Sequence, residues 1–273
     1  MSQCEQMNEI KKQQVFEVLI TPIICNKRYE KIERKYGVIL SPQKYKGSAD
    51  EDMSDFAIEF YKILYKDFLM KNIPDEKGEL IDEDGYLKNK EIAGDTMNSF
   101  NTIANMNTNN CFIYTGMDIS LSLDPFTTYY QLQYHCLANF WLIPMRHGRM
   151  PNKKMRPHDS MDIYIYNLMH CWENFKKEET ISYRNDENKY KNYFLCFKTI
   201  EEFKTLHYVG EIESEEEIAK IEKMYLDKNG KELMEKCLCK IFQRARKIAN
   251  DSEIAFKLYN AFKEKGLLIE SSQ

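Results

Sequence analysis

The sequence has no apolar run long enough to cross a bilayer. Its longest apolar stretches, 19–25 and 138–145, each contain a proline and fall far short of the roughly 20 residues that a transmembrane helix needs. The first residues are polar and contain no apolar core of the kind that a secretion signal carries. We therefore expect a protein of the cytoplasm that does not enter a membrane.

The eight cysteines include no pair with C-x-x-C spacing, the arrangement typical of zinc sites and redox centres. Cys237 and Cys239 are two residues apart, which on a helix directs them to different sides, so they should not share a metal ion. In a cytoplasmic protein, cysteines scattered in this way predict reduced thiols and no disulfides.

Motifs of known catalytic sites are also missing. There is no Walker A motif, no G-x-G-x-x-G, no G-x-S-x-G and no H-E-x-x-H. We therefore assign no catalytic residue, no metal ligand and no cofactor from the sequence. Whether the chain is an enzyme stays open, and a hydrolase of the nuclease type is the first expectation if it is one.

The composition is that of a folded chain with a soluble surface. Of the 273 residues, 43% are hydrophobic, 13% are aromatic and 30% are charged. The formal net charge of −4 gives no overall attraction to nucleic acid or to an anionic membrane. Any such affinity requires a local cluster of positive charge.

Apolar periodicity predicts a mainly α fold with a minor β component, built on a single globular core. Residues 54–69 and 160–176 both carry wide apolar faces at helical spacing. We expect these two helices to pack in one core, with Met161, Ile165 and Trp172 buried, because such faces must be covered.

The aromatic stretch before the second of these helices leaves two interpretations open. Residues 129–137 have helical periodicity. Residues 139–144 could either extend that helix or form a buried strand. The element should end by Ile143, because a residue that precedes proline disfavours helical backbone angles.

Residues 211–273 predict a C-terminal unit of three helices joined by short turns. Ser214 and Glu217 have the spacing of a capping box, and Asn229-Gly230 and Gly266 supply stop signals. Between them runs a heptad-like apolar stripe formed by Met234, Leu238, Ile241, Ala245 and Ile248. We therefore expect a core domain over 1–210 and a helical unit over 211–273 packed on it.

The basic segment, residues 146–158, is the largest local departure from the acidic composition. It holds five cations within eleven residues and no acid. Arginine suits bidentate contacts to phosphate, and the segment leads directly into a predicted helix N-terminus, which also favours anions. Nearby aromatic residues that could stack on bases are Tyr129, Tyr130, Tyr134 and Trp141. The ligand-binding candidates are Arg146, His147, Arg149, Lys153, Lys154, Arg156 and His158.

These features favour a non-enzymatic binding protein whose partner is a phosphate-bearing ligand such as a nucleotide, a nucleic acid, or an acidic protein. A structural alternative is that the basic segment pairs within the molecule with the acidic segments 75–84 or 211–217. The oligomeric state does not follow from the sequence.

Three blocks carry a resemblance to a known family. DFAIEFYKILYKDFL, ANFWLIPMRHGRMPNKKMRPHDSMDIYIYNL and YFLCFKTIEEFKTLHYVG resemble an uncharacterised bacterial family of unknown function over about residues 54–210. This resemblance implies a bacterial protein but no activity.

A second resemblance suggests an alternative function. LANFWLIP resembles a block of HNH-type nuclease domains in GmrSD-like restriction proteins, where it follows an acidic motif with a histidine. Asp118 and Asp124 stand upstream here without that histidine. The resemblance implies a metal-dependent nuclease or a degenerate descendant of one, using Asp118, Asp124, His147 or His158.

Overall fold

The computed structural model describes residues 7–24, 39–40, 51–72, 92–98, 124–144, 160–176, 197–211, 213–226 and 229–268. The chain is mainly α with a minor β component over these ranges, as the periodicity predicts. The helices are α1 (Glu9–Ile20), α2 (Asp55–Asn72), α3 (Pro125–Gln133), α4 (Met161–Lys176), α5 (Ile200–Leu206), α6 (Glu215–Leu226), α7 (Gly230–Asn250) and α8 (Ser252–Glu264). The strands are β1 (Ile23–Ile24), β2 (Ile39–Leu40), β3 (Ile92–Thr96) and β4 (Phe140–Pro144).

The strands form two small ribbons. The first pairs β1 with β2 in parallel over two residues each. The second pairs β3 with β4 antiparallel, with Ile92 opposite Pro144 and Thr96 opposite Phe140. Of the two interpretations of residues 139–144, the strand is therefore the right one, and a short 3-10 turn, Leu137–Asn139, separates it from α3. The prediction that the element ends by Ile143 is wrong by one residue, because a strand, unlike a helix, tolerates the extended backbone before Pro144.

Helices α2 and α4 pack in one core, which confirms the prediction from their apolar faces. Met161, Ile165 and Trp172 of α4 are at most 5% exposed. They belong to the same hydrophobic cluster as Phe60 and Leu64 of α2. Burying each large apolar side chain stabilises the fold by about 1.5–3 kcal/mol, so this shared core is a main source of stability.

The three C-terminal helices are also as predicted. Ser214 Oγ accepts a hydrogen bond from the Glu217 backbone N–H at 3.3 Å at the start of α6. Asp251 caps α8, and Gly266 adopts the left-handed φ of 67° that favours glycine after a helix. The residues of the predicted stripe on α7 are all buried: Met234, Leu238, Ile241, Ala245 and Ile248.

Helix α7 takes part in two hydrophobic clusters. Its C-terminal half packs in the main core beside α1 and α8. Its N-terminal half packs in a second cluster with Tyr130 and Tyr134, Ile163 of α4, and Ile218 and Ile221 of α6. The C-terminal helices thus lie directly on elements from the first 210 residues, while a domain boundary at residue 210 stays a prediction.

An exchange at Gly94 tests how closely β3 packs against Asp52 and Tyr61. A Cβ atom at this position would overlap the Asp52 backbone oxygen and lie 2.5 Å from Tyr61 Oη. We expect Gly94→Ala to lower the free energy of unfolding by roughly 2 kcal/mol, because backbone has to shift to admit the methyl group.

The matched control for this exchange is Gly210→Ala. Its Cβ would meet only the end of the Gln243 side chain, at 3.7 Å, so we expect a change within about 0.5 kcal/mol. Urea unfolding of both variants measures the difference. Equal stabilities would contradict the close contact between β3 and α2.

Candidate functional site

The basic segment lies outside the described residues, and with it all seven ligand-binding candidates from Arg146 to His158. The structure describes the elements on either side of it. Strand β4 ends at Pro144, and α4 begins at Met161. These two elements, and the side chains that hold them, form the described surroundings of the candidate site.

The elements that flank the basic segment meet opposite ends of the β3–β4 ribbon. Pro144 lies opposite Ile92, at the first residue of β3. The Met161 backbone N–H donates to Asn98 Oδ1 at 2.7 Å, and Asn98 lies two residues beyond Thr96, the last residue of β3. The two elements that flank the basic segment are therefore held at opposite ends of the ribbon.

Two backbone donors in the first turn of α4 are bound by the protein itself. Met161 N–H donates to Asn98 Oδ1 at 2.7 Å, and Ile163 N–H donates to Ser160 Oγ at 3.3 Å. A helix N-terminus attracts phosphate through N–H groups that have no other partner. Because these two donors are occupied, we expect a phosphate held by the basic segment to be contacted mainly by its arginines and lysines.

Two buried asparagines, Asn98 and Asn139, connect the ribbon to α3 and α4, and we call this pair the asparagine junction. Asn98 Nδ2 donates to Asn139 Oδ1 at 3.0 Å, and Asn139 Nδ2 donates to the carbonyl oxygens of Met97 and Tyr134. Tyr130 Oη donates to the Asn98 carbonyl at 2.6 Å. Both asparagines are fully buried. Asn98 has a φ of 52°, a conformation that asparagine tolerates better than most residues.

The aromatic residues that could stack on bases are mostly unavailable. Tyr130, Tyr134 and Trp141 are at most 2% exposed, because they pack in the two hydrophobic clusters. This corrects the expectation that they line a base-binding surface. Tyr129 is 45% exposed, so its ring remains accessible for stacking on a base.

Three of the five carboxylates in the acidic segment 211–217, one of the two predicted internal partners of the basic segment, pair with lysines of α6 and α7. The ion pairs are Glu213–Lys240 (2.6 Å), Glu216–Lys220 (3.1 Å), Glu217–Lys220 (2.6 Å) and Glu217–Lys236 (3.5 Å). The hydrogen bond from Lys220 lowers the pKa of the Glu217 carboxyl. These carboxylates are thus neutralised locally. The second internal partner, segment 75–84, lies outside the described residues.

A buried ion pair ties the start of α4 to α7. Lys240 Nζ lies 3.1 Å from Asp162 Oδ1, and both side chains are largely buried. Burial raises the pKa of Asp162. Burial also acts to lower the pKa of Lys240, but Asp162 and Glu213 raise it overall. Helix α4 is therefore held at its first turn by α7 as well as by the asparagine junction.

Of the four residues in the nuclease alternative, the structure describes Asp124 alone. Its Oδ1 accepts hydrogen bonds from the N–H groups of Phe126 and Thr127, both at 3.1 Å, so it caps α3. The hydrogen bonds from Thr127 lower the pKa of Asp124. Asp118, His147 and His158 lie outside the described residues, and their convergence stays untested. Within the described part of the chain, no group of three or more histidine, cysteine or acidic residues is placed to hold a metal ion.

A buried polar cluster surrounds Arg244, which is 1% exposed and was not predicted from the sequence. Arg244 donates hydrogen bonds to the carbonyl oxygens of His207 (2.7 Å), Ala138 (2.6 Å) and Phe140 (2.9 Å) and to Tyr65 Oη (3.0 Å). Its guanidinium carbon also lies 4.9 Å from the Trp141 ring centroid. Arg244 is three residues after Ile241 and four before Ile248, so helical spacing alone could have placed it on the buried face of the predicted stripe. Three of its four hydrogen bonds go to backbone carbonyl oxygens, so its role is structural.

The histidines and cysteines of the described core show no activated nucleophile. His135 is buried, and desolvation lowers its pKa to about 3. The neighbouring thiol of Cys136 is also buried, which raises its pKa to about 12. A thiol whose pKa is raised in this way stays protonated at neutral pH and is a poor nucleophile.

Comparisons with known proteins add no relative. No protein-family model, no curated protein and no solved structure matches this chain. The resemblance to an uncharacterised bacterial family and the resemblance to HNH-type nuclease domains therefore stay predictions. Among the described helices, none is both long enough and apolar enough to cross a membrane.

Proposed function

We propose that this chain is a non-enzymatic cytoplasmic protein that binds a phosphate-bearing ligand, a nucleic acid or a nucleotide, through the basic segment. The observation that supports the proposal most directly is that Lys220, Lys236 and Lys240 pair with carboxylates of the acidic segment 211–217. One of the two predicted internal partners of the basic segment is thus engaged with other lysines, which favours a ligand outside the molecule.

The surroundings of the segment indicate what kind of contact it makes. Two of the donors at the α4 N-terminus, Met161 N–H and Ile163 N–H, are bound by Asn98 and Ser160, and three of the four nearby aromatic residues are buried. Affinity should therefore come from arginine and lysine contacts to phosphate oxygens. Such contacts carry little information about bases, so we expect weak sequence preference.

The variant Arg149→Ala with Arg156→Ala tests the proposal. We expect it to bind a labelled single-stranded DNA of 20 nucleotides roughly tenfold more weakly than the parent protein. The slope of log K against log salt should fall by about 1 to 2, because two phosphate contacts no longer release counterions. Fluorescence anisotropy at about 50 and 200 mM salt measures both quantities.

The control is Lys223→Ala with Lys263→Ala, which removes the same charge from exposed positions on α6 and α8. We expect its affinity to stay close to that of the parent protein. Equal binding by all three proteins would refute the proposal. A drop in melting temperature of the arginine variant, without a change in binding, would instead show that the arginines pair within the molecule, since a stranded buried partner costs stability.

Two further experiments distinguish the other candidate functions, binding of an acidic protein and cleavage of nucleic acid. Binding to an acidic peptide with no binding to DNA, RNA or ATP would identify an acidic protein partner. Cleavage of the DNA in the presence of Mg²⁺, lost in the arginine variant, would support the metal-dependent nuclease and refute a purely binding role.

A further inference from the structure

We propose that the core binds an uncharged hydroxyl oxygen, that of water or of a small hydroxyl-bearing ligand, where β4 meets α4. The two groups that hold this oxygen are Trp141 Nε1 and Tyr164 Oη. Both residues lie in the main hydrophobic core. The site is separate from the basic segment and does not depend on the proposed function.

Trp141 of β4 and Tyr164 of α4 are neighbours in this core. Their ring centroids are 6.4 Å apart, and the ring planes meet at 81°. Both side chains are fully buried. Neither Trp141 Nε1 nor Tyr164 Oη has a hydrogen-bond partner in the described part of the chain. Two polar atoms without a partner thus occur on adjacent rings in the interior.

Unpaired polar atoms at this depth are unusual. In folded proteins the large majority of buried side-chain polar atoms bind a protein group or an ordered water. Two other buried tyrosines of this chain follow that rule. Tyr130 Oη donates to the Asn98 carbonyl at 2.6 Å, and Tyr65 Oη accepts from Arg244 at 3.0 Å. The departure at Trp141 and Tyr164 therefore points to a bound oxygen that is not part of the described core.

The hydrogen-bonding chemistry of the two groups limits what can bind there. The indole N–H of Trp141 can only donate, whereas the hydroxyl of Tyr164 can donate or accept. A cation offers no acceptor to the indole, and an apolar molecule would leave both groups unpaired. No group of acidic, histidine and cysteine residues in the described ranges is placed to hold a metal ion. The ligand atom must therefore be a hydrogen-bond acceptor.

The Asp95 carboxylate disfavours an anion as that acceptor. Asp95 lies directly opposite Trp141 in the β3–β4 ribbon, so the two side chains are on the same face of the ribbon. Burial raises the pKa of Tyr164, and the Asp95 carboxylate raises it further. A negative charge thus acts on the Tyr164 hydroxyl inside the core and would repel a second one. An uncharged hydroxyl oxygen satisfies all of these conditions.

The exchange Tyr164→Phe tests whether the hydroxyl has a partner. It removes one oxygen atom and keeps the ring that packs against Trp141. If an oxygen is bound, we expect the equilibrium constant for unfolding to rise about threefold to tenfold, the usual worth of a hydrogen bond. A hydroxyl without a partner predicts the opposite sign, because the exchange then relieves the cost of a buried polar group. Urea unfolding measures the sign.

The matched control is Tyr130→Phe. Tyr130 is also fully buried, and its hydroxyl has a known partner in the Asn98 carbonyl. We expect this variant to lose stability by a similar factor, which calibrates the effect of removing a bound hydroxyl from this core.

Nuclear magnetic resonance and native mass spectrometry identify the source of the oxygen. The chain has two tryptophans, so Trp172→Phe assigns the indole N–H signal of Trp141. Bound water should give a cross-relaxation peak with this proton, and the signal should shift in Tyr164→Phe. A retained small ligand should instead add mass to the parent protein and be absent from Tyr164→Phe.

A loss of stability in Tyr164→Phe together with either signal supports the proposal and tells water from a ligand. An unchanged or higher stability of Tyr164→Phe would overturn it. A loss of stability with neither signal would also overturn it, because the acceptor would then belong to the chain itself.

Discussion

Replacing Arg244 by methionine is expected to lower the free energy of unfolding by about 3–5 kcal/mol. Methionine fills a similar volume but donates no hydrogen bond. The carbonyl oxygens of Ala138, Phe140 and His207 would each lose a charged donor at 2.6 to 2.9 Å inside the core. A loss of this size shifts the melting temperature by about 10 °C in a chain of this length.

The exchange of Arg244 lowers stability because most of its hydrogen-bond partners are backbone groups. A buried ion pair can often be replaced by apolar residues without loss, because both charges are removed together. The partners of Arg244 are peptide carbonyls of the 3-10 turn, of β4 and of the residue after α5, which no side-chain exchange removes. They would remain buried and unsatisfied.

Two further variants separate charge from geometry. Arg244→Lys keeps the charge but has a tetrahedral head group in place of the planar fork, so we expect a loss of about 2–4 kcal/mol. Arg246→Met, two residues further on the exposed side of α7, should stay within about 1 kcal/mol, the value of its exposed contact with Phe16. Urea unfolding measures all three. A fully stable Arg244→Met protein would contradict the structural role of the guanidinium.

The elements that the sequence predicts well are those determined locally. Helix α7 follows from a stripe with spacings of three and four residues, and α6 and α8 follow from caps that lie directly before them. Residues 139–144 were ambiguous because a short apolar run fits a buried helix and a buried strand equally well. Pairing with β3, which lies more than 40 residues away, decides between them.

The surroundings of the candidate site could not be predicted for the same reason. Asn98 lies in a polar, asparagine-rich stretch that has the composition of a surface loop. Its burial arises from contacts with Asn139 and Met161, which are 41 and 63 residues away. A single sequence carries no local pattern for such contacts. The basic segment itself could be identified from its cluster of positive charges in the sequence. Its binding role stays a prediction.

Acidification should destabilise the protein through two buried histidines, His135 and His207. Desolvation lowers the pKa of both, to about 3 for His135 and well below the usual value for His207, where the Arg244 guanidinium adds to the effect. The Glu51 carboxylate lies 3.8 Å from His135 Nε2, but burial dominates there. For His207, Tyr65 Oη accepts a hydrogen bond from Arg244 and lies 3.0 Å from Nδ1. The tyrosine hydroxyl therefore donates to the neutral ring.

The direction of the pH effect follows from proton uptake. In the unfolded chain both histidines titrate near about 6.5, whereas in the fold they stay neutral to lower pH. The unfolded state binds more protons in this window, so stability is greatest above about 6.5 and falls as the pH is lowered toward the folded pKa values. Between pH 7.5 and 5.5 each histidine should remove about 1.4 kcal/mol, so the two together should remove about 2.5–3 kcal/mol. Burial raises the pKa of Asp162. The folded protein therefore binds this proton more tightly than the unfolded chain does, so protonation of Asp162 adds stability as the pH falls and opposes the effect of the histidines.

Urea unfolding at pH 7.5, 6.5 and 5.5 measures this slope. Replacing His207 by glutamine should lower stability at every pH, because the ring stacks on Trp141 at 4.6 Å, and should reduce the dependence on pH by about half, because one of the two protons is no longer taken up. His170→Gln, at an exposed position of α4, is the matched control and should leave the slope unchanged. If stability is constant from pH 7.5 to 5.5, or if the slope is the same in His207→Gln as in the parent protein, the two buried histidines do not control the acid stability of this fold.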